Sequence, residues 1–399
     1  MTLQSSVNVS LAYKAESTFG VAAGASGAKY LRRVSSNLTA TKESFTSNEA
    51  RPDMEVADLR HGARGAGGSV ESELSLQSFD DFLEACLRGT WAAGASLDEG
   101  DLTSVTATAS SSKFTFGGGD PVSLGMFVGA MIRFANLSVS ANNSKNYRIT
   151  GFGGTSNREV TVTPAPTDMT ADTAFTVEVV GNVLATGTTE RSFTIEQSYP
   201  NIDVSEQFVG CRIGQLQLRV APNGMTTIGW SILGANGSPL SGASSPYFTS
   251  PTDAPTTGVL SGLDGSLRAN GVEQGVVTGI DLSFNNNLSM GPVIGSNITA
   301  AIFYGRKVVT GNMSVYLKDS SFLDAFDQED TFDVVIVLAA AGDEPKDFMV
   351  FNMQKVKLQS PSKTIGADGG VVASFPFQAL LASGDGIETG SLVIQRSNT

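Results

Sequence analysis

The sequence predicts a mainly-β chain in which one β-rich unit with a short helix occurs twice, with a small β-barrel-like domain inserted into the first copy. Three observations carry that reading. Only 16% of the 399 residues are charged while Gly reaches 44 copies and Phe 22, a balance that favours short strands and turns over long helices. The pattern Gly-x-apolar-x-x-x-Leu-x-x-x-Ser-Phe-x-Asp starts at both Gly68 and Gly311. Within the first copy lies extra chain with a strand rhythm of its own.

Each pattern opens as an alternating strand and passes into a helix start. Ser78 and Ser321 stand where an N-cap belongs, with acidic residues close behind. Phe79, Phe82 and Leu83 in one copy, and Phe322, Leu323 and Phe326 in the other, are expected to pin the helix to a sheet. Upstream, Asn37-Leu38-Thr39-Ala40 matches Asp281-Leu282-Ser283-Phe284. Downstream, Phe208 to Leu218 matches Phe348 to Leu358, and Ile228 to Ile232 matches Ala373 to Phe377.

In the second copy the helix runs almost directly into the β-branched run 331–341, a buried strand by its composition. In the first copy five strands intervene, near 113–116, 131–134, 146–151, 159–163 and 173–179, divided by turns such as Gly117-Gly118-Gly119-Asp120. The expected units are therefore 1–103 with 183–240, an insertion at 104–182, a Gly/Ser/Pro-rich linker at 241–265 and a second copy at 266–399.

The formal charge of −13 argues against tight wrapping of nucleic acid, which needs Lys and Arg to displace phosphate counterions. Met1-Thr2-Leu3-Gln4-Ser5-Ser6 lacks a secretory start, so synthesis in a cytoplasm is expected. The apolar windows 122–134 and 334–341 fall short of the roughly 20 residues that cross a bilayer. Cys86 and Cys211 lie outside any CxxC pair. Two reduced core thiols are the preferred reading, with a single disulfide left open.

No constellation for bond chemistry emerges. The one histidine, His61, sits in Arg60-His61-Gly62-Ala63-Arg64 without a Cys or Ser partner nearby, which speaks against triads and His-based metal sites. Asp80-Asp81 falls in a helix first turn, Asp98-Glu99-Gly100-Asp101 at a domain joint and Glu329-Asp330 past a helix; all three read as solvated structural groups. No catalytic residue, metal or cofactor is expected.

The long segment 48–68 carries charges of alternating sign: Arg51, Asp53, Glu55, Asp58, Arg60, His61 and Arg64, with Met54, Val56 and Leu59 between them. Its counterpart, 290–310, carries Arg306 and Lys307. Long ordered loops usually bind a partner, and mixed charge suits a register-setting contact between subunits or rings.

Val7-Asn8-Val9-Ser10, Ala15-Glu16-Ser17-Thr18-Phe19-Gly20, Tyr30-Leu31-Arg32-Arg33 and Arg51-Pro52-Asp53 resemble the major tail tube protein of long-tailed bacteriophages, in the duplicated form of non-contractile, siphovirus-type tails. The resemblance implies β-sandwiches with a flanking helix, whose inner sheets join edge to edge in a ring around a channel for DNA. It implies trimers of double domains with pseudo-sixfold symmetry, stacked through loops and arms within the virion tail. The implied partners are the protein itself, tail terminator, tape measure and distal tail proteins, and DNA in passage without specific binding; no membrane is involved. The insertion departs from the minimal pattern and is expected outside the tube. A tail terminator or baseplate hub of the same fold, or a β-sandwich surface or carbohydrate-binding protein, stands as the alternative.

Overall fold

The computed structural model describes residues 3–262, 266–269, 272–273, 277–342, 344–365 and 369–398. It is mainly β, with strands arranged in two similar halves and a separate eight-stranded sheet. In the first half, one sheet runs Thr39–Thr46, Leu59–Glu73, Thr227–Gly234 and then the end of Val204–Val220. In the second, the order is Val277–Asn285, Val308–Tyr316, Val372–Ala379 and then the end of Phe348–Leu358, continued by Ser362–Thr364. These are the same order and the same directions.

The register repeats as well. Gly68 faces Ile232 as Gly311 faces Phe377. Setting Thr39 against Gly67 and Ser36 against Val70 puts Leu38 opposite Gly68, and Leu282 lies opposite Gly311. Each half even carries one extra residue at the same point. Gly214 bulges between the pairs Ile213–Ile232 and Gln215–Ser231, and the chain from Leu358–Phe377 to Ser362–Ser374 gains one residue likewise. A shared bulge marks a shared design, since a slip there would turn every side chain to the wrong face.

The shared glycine has a steric cause. A Cβ on Gly68 would stand 2.7 Å from Asn37 O and Leu38 Cα, and one on Gly311 would stand 2.5 Å from Asp281 O. Asn37 and Asp281 are matched positions, so the same neighbouring backbone presses on both glycines. Gly311→Val is expected to cost about 1–3 kcal/mol through overpacking, read by urea unfolding of the variant against wild type. An unchanged midpoint would contradict the close approach.

A second sheet closes each half. In the first it runs Lys29–Tyr30, Ser10–Ala15, Phe193–Tyr199, the start of Val204–Val220, and Asn236–Ser241. The 17-residue strand serves both sheets by bending at Gly210, whose φ of +66° favours glycine. In the second half the order is Ser266–Ala269, Phe332–Ala339, Phe348–Leu358 and Val393–Arg396. Two strands from elsewhere, Asn182–Ala185 and Ala92–Ala93, extend this sheet. One core fills both halves, from Leu11 and Trp230 to Phe375 and Ile394.

The helices Asp80–Leu87 and Ser321–Asp327 follow the matched strands. Neither has the expected serine cap. The Ser78 hydroxyl pairs with Ser75 at 2.8 Å, and Ser321 is the first helical residue after Ser320. Short polar side chains in a run of serines compete for the same backbone, so spacing alone misplaces the cap. Phe79, Phe82 and Leu83 are buried, and Phe79 and Phe82 lie 5.9 and 5.6 Å from Trp230 between ring centres. In the second half Phe322 packs on Phe375 at 5.4 Å, yet Phe326 is exposed.

The eight-stranded antiparallel sheet takes its strands from Ser96–Asp98 through Thr176–Val179 in chain order and surrounds a core that includes Phe114, Phe134 and Tyr147. Burial pushes the Tyr147 hydroxyl up to about 12. Ser96–Asp98, Val105–Thr108 and Met169–Asp172 join the five expected strands; Ser96–Asp98 and Met169–Asp172 are the end strands, where alternation is weakest. Although it interrupts the first half in sequence, this sheet docks on the second. Met131 and Val180 pack on Val335, Val337, Phe348 and Val350. Buried Gln395 accepts from Met131 N at 2.7 Å and donates to Met131 O and Val180 O at 2.9 and 2.8 Å. The stretch Val334–Leu338 within Phe332–Ala339 is thus buried on both faces, which explains why it reads as continuously apolar.

Residues 241–262 do not hang free. Buried Glu196 accepts from Tyr247 N and Phe248 N, and Leu260 pairs with Leu74. Residues 263–265, the end of the expected linker, lie outside the described residues. The segment 48–68 is likewise shorter as a loop than its charge implies. Leu59–Glu73 is one strand paired with Thr39–Thr46, so only 47–58 turns. A ribbon solvated on both faces shows no apolar alternation to read.

Candidate functional site

The two halves meet as one continuous sheet within a single chain. Residues 215–220 pair with 280–285, from Gln215–Asn285 to Val220–Ile280. Beyond the sheet, Asn286 N donates to Gly214 O at 2.8 Å, and the buried Asn286 amide donates to Cys86 O at 2.7 Å. Tyr304 lies between two guanidinium groups, with the Arg88 and Arg212 carbons 4.3 and 4.7 Å from its ring centre. Cations on a ring face are attracted by its quadrupole. Glu190 balances the charge, 2.8 Å from Arg212 and 3.6 Å from Arg88. Burial raises the Tyr304 hydroxyl, although both arginines pull it down.

Of the positions singled out by charge, Lys307 belongs to this joint. It donates to Gly187 O, and burial, aided by Arg88, lowers its ammonium. The Arg306 carbonyl accepts from Asn287 at 2.7 Å. Arg64 is also engaged within the chain, its N donating to Asn297 O and its O accepting from Thr299. Arg51, Asp53, Glu55, Asp58, Arg60 and His61 project on the exposed ribbon. Arg51 pairs with Asp53 and Arg60 with Asp58, each at 2.7 Å. Such exposed pairs contribute little stability. The sequence missed Tyr304, Arg88, Arg212 and Glu190, which come from four separated segments and share no motif.

The carboxylates have structural partners. Asp80 holds Arg396 at 2.6 Å, with burial raising its carboxyl against the arginine's pull. Asp81 accepts from Tyr13 and Lys29. Asp98 caps the turn Glu99–Leu102 in a reciprocal box with Asp101. Cys86 and Cys211 are free thiols raised by burial. Among the described residues no three His, Cys, Asp or Glu side chains gather to hold a metal. No helix among them is long and apolar enough to cross a membrane.

The sheet that joins the halves leaves two outer borders. On one side is Thr39–Thr46, exposed along its whole length, with Phe45 59% exposed. On the other is the strand end 356–358 with Ser362–Thr364. A family model for phage tail tube proteins matches the chain twice, over residues 6–196 and 185–379. The chain belongs to the phage tail tube protein family. No curated protein matches it. With two matches along its length, this tail tube protein is a structural component of a phage tail.

The face of the continuous sheet turned away from the core is polar. It presents Glu71, Gln217, Ser283 and Asn312, with Arg219 and Asp281 paired at 3.0 Å. Hydroxyls, amides and a small excess of carboxylate are what this tail tube protein offers on its sheet.

Proposed function

We propose that this tail tube protein closes rings of three copies, six tube domains in all, which stack into the conduit of a siphovirus-type tail and let DNA pass. The observation that supports it is the joint of 215–220 with 280–285. One junction between neighbouring wedges is already made within the chain, and the borders at Thr39–Thr46 and Ser362–Thr364 match the strands that form it. Unpaired borders invite strand addition, and closure removes them. A heterologous contact repeated by a closing rotation gives a ring.

Transferring the internal register to the open borders sets Ser362 of one copy against Thr39 of the next, and Ser360 against Thr41. The polar sheet face then lines the bore, where carboxylates without unpaired cations repel the phosphate backbone. Mechanism reduces to self-association and passage, with no residue in bond chemistry. Arg51, Asp53, Glu55 and Asp58 on the ribbon, with Arg60 and Arg64, are proposed to meet the adjacent subunit or ring. Tail terminator, tape measure and distal tail proteins are the proposed further partners, after synthesis in the host cytoplasm.

We carry the unit boundaries forward in modified form. Ser96–Asp98 goes with the insertion, Asn182–Ala185 with the second tube domain, and the insertion sits on the outside. Purified protein at rising concentration is expected to form rings or tubes in negative stain, with threefold averages in end views. A species that stays monomeric at high concentration would sink the reading.

A further inference from the structure

The internal joint has an empty twin at the far side of the second half. Phe193 pairs with Cys211 as Phe332 pairs with Val356, so Arg212 matches Lys357 and not Asn352, five positions from where the sequence match of 208–218 with 348–358 puts it. Counting back from the same pairs, Glu190 matches Glu329 and Arg191 matches Asp330. The ion pair repeats accordingly: Arg212–Glu190 at 2.8 Å and Lys357–Glu329 at 3.5 Å. In the first half Tyr304 covers that pair, and its hydroxyl reaches Arg191 O at 3.4 Å. In the second half the matching place is a cavity of about 230 Å3 lined by Ala325, Phe326, Glu329, Asp330, Lys357 and Leu358.

The residues that fill the first seat have counterparts at the open border. Tyr304 precedes Gly311 by seven positions, and His61 precedes Gly68 by seven. Asn286 follows Leu282 by four, and Lys42 follows Leu38 by four. His61 and Lys42 lie on the exposed ribbon, where Ser44 faces His61 and Arg64 faces Lys42. We infer that His61 and Lys42 of a second copy enter the cavity beside the helix Ser321–Asp327, as Tyr304 and Asn286 enter its occupied twin.

Charge fits this occupant. The receiving side presents Glu329 and Asp330 beside Lys357, with Asp324 and Asp327 exposed on the adjoining helix, and the entering ribbon presents Lys42, Arg60, His61 and Arg64 against Glu43. Asp58 already neutralises Arg60. The cover also explains why Phe326 is exposed whereas Phe82 and Leu83, in the occupied twin, are not.

The inference rests on self-association, and the test separates the two. Sedimentation velocity on the full chain would follow association of wild type, His61→Glu, His61→Gln, and Glu329→Lys combined with Asp330→Lys. All these positions are exposed, and circular dichroism checks that each variant folds. Wild type is expected to associate, and His61→Gln to weaken that association about threefold. His61→Glu and the double lysine variant should each weaken association about tenfold, and their combination should restore it to within about threefold. Rings that form equally in every variant overturn the inference and leave the ring reading standing. A wild-type chain that never associates overturns both.

Discussion

Ala40→Pro is expected to abolish rings and tubes while leaving the monomer folded. Asn37 N donates to Ser69 O at 3.0 Å. Antiparallel pairs alternate, so the N–H groups of Leu38, Ala40 and Lys42 point to the open side. Proline at Ala40 removes one outward donor, and its ring occupies the space a neighbouring strand would take. The pairing with Leu59–Glu73 keeps its ladder, and proline is tolerated on edge strands. The measurement is negative-stain imaging beside thermal unfolding. Tubes at wild-type yield would show that this border does not carry the ring contact.

The largest effect on stability is expected from Trp230→Ala, a loss of about 3–5 kcal/mol in urea unfolding followed by circular dichroism. Trp230 is fully buried, forms a T-shaped contact with Phe82 and lies in the strand between Leu59–Glu73 and Val204–Val220. Its removal opens a cavity bounded by two strands and a helix, none of which collapses easily. Trp230→Phe is expected to cost much less. The indole N–H is buried without a protein acceptor among the described residues, so losing it removes no hydrogen bond. Equal losses in the two variants would place the energy in the N–H and not in the packed area.

The repeat was legible because matched positions face matched constraints. Gly68 and Gly311 are pressed by the same neighbour, and Trp230 and Phe375 receive the same helix. Both leave a trace in the residue type. The family resemblance followed from those traces and from the opening segments. Other features left none. The cluster of Arg88, Glu190, Arg212 and Tyr304 depends on which segments meet, and local pattern carries no record of that. Gln395 reads as one polar residue in a strand until Met131 and Val180 arrive against it. The segment 48–68 reads as a long loop because solvent on both faces of the ribbon erases alternation. The exposed helix Ser321–Asp327 has the same motif as its buried twin, so spacing alone predicted equal burial.

The two tube domains cannot be exchanged one at a time. Ala92–Ala93 and Asn182–Ala185, which flank the insertion in the first part of the chain, are strands in the second sheet of the last part. Cutting the gene between the copies would give a leading fragment with orphaned strands and a trailing fragment with a raw sheet border. Recombination that imported a foreign trailing copy would have to match Asn182–Ala185, Met131 and Val180 at once. Each half thus lends the other part of its framework, so neither is structurally self-sufficient.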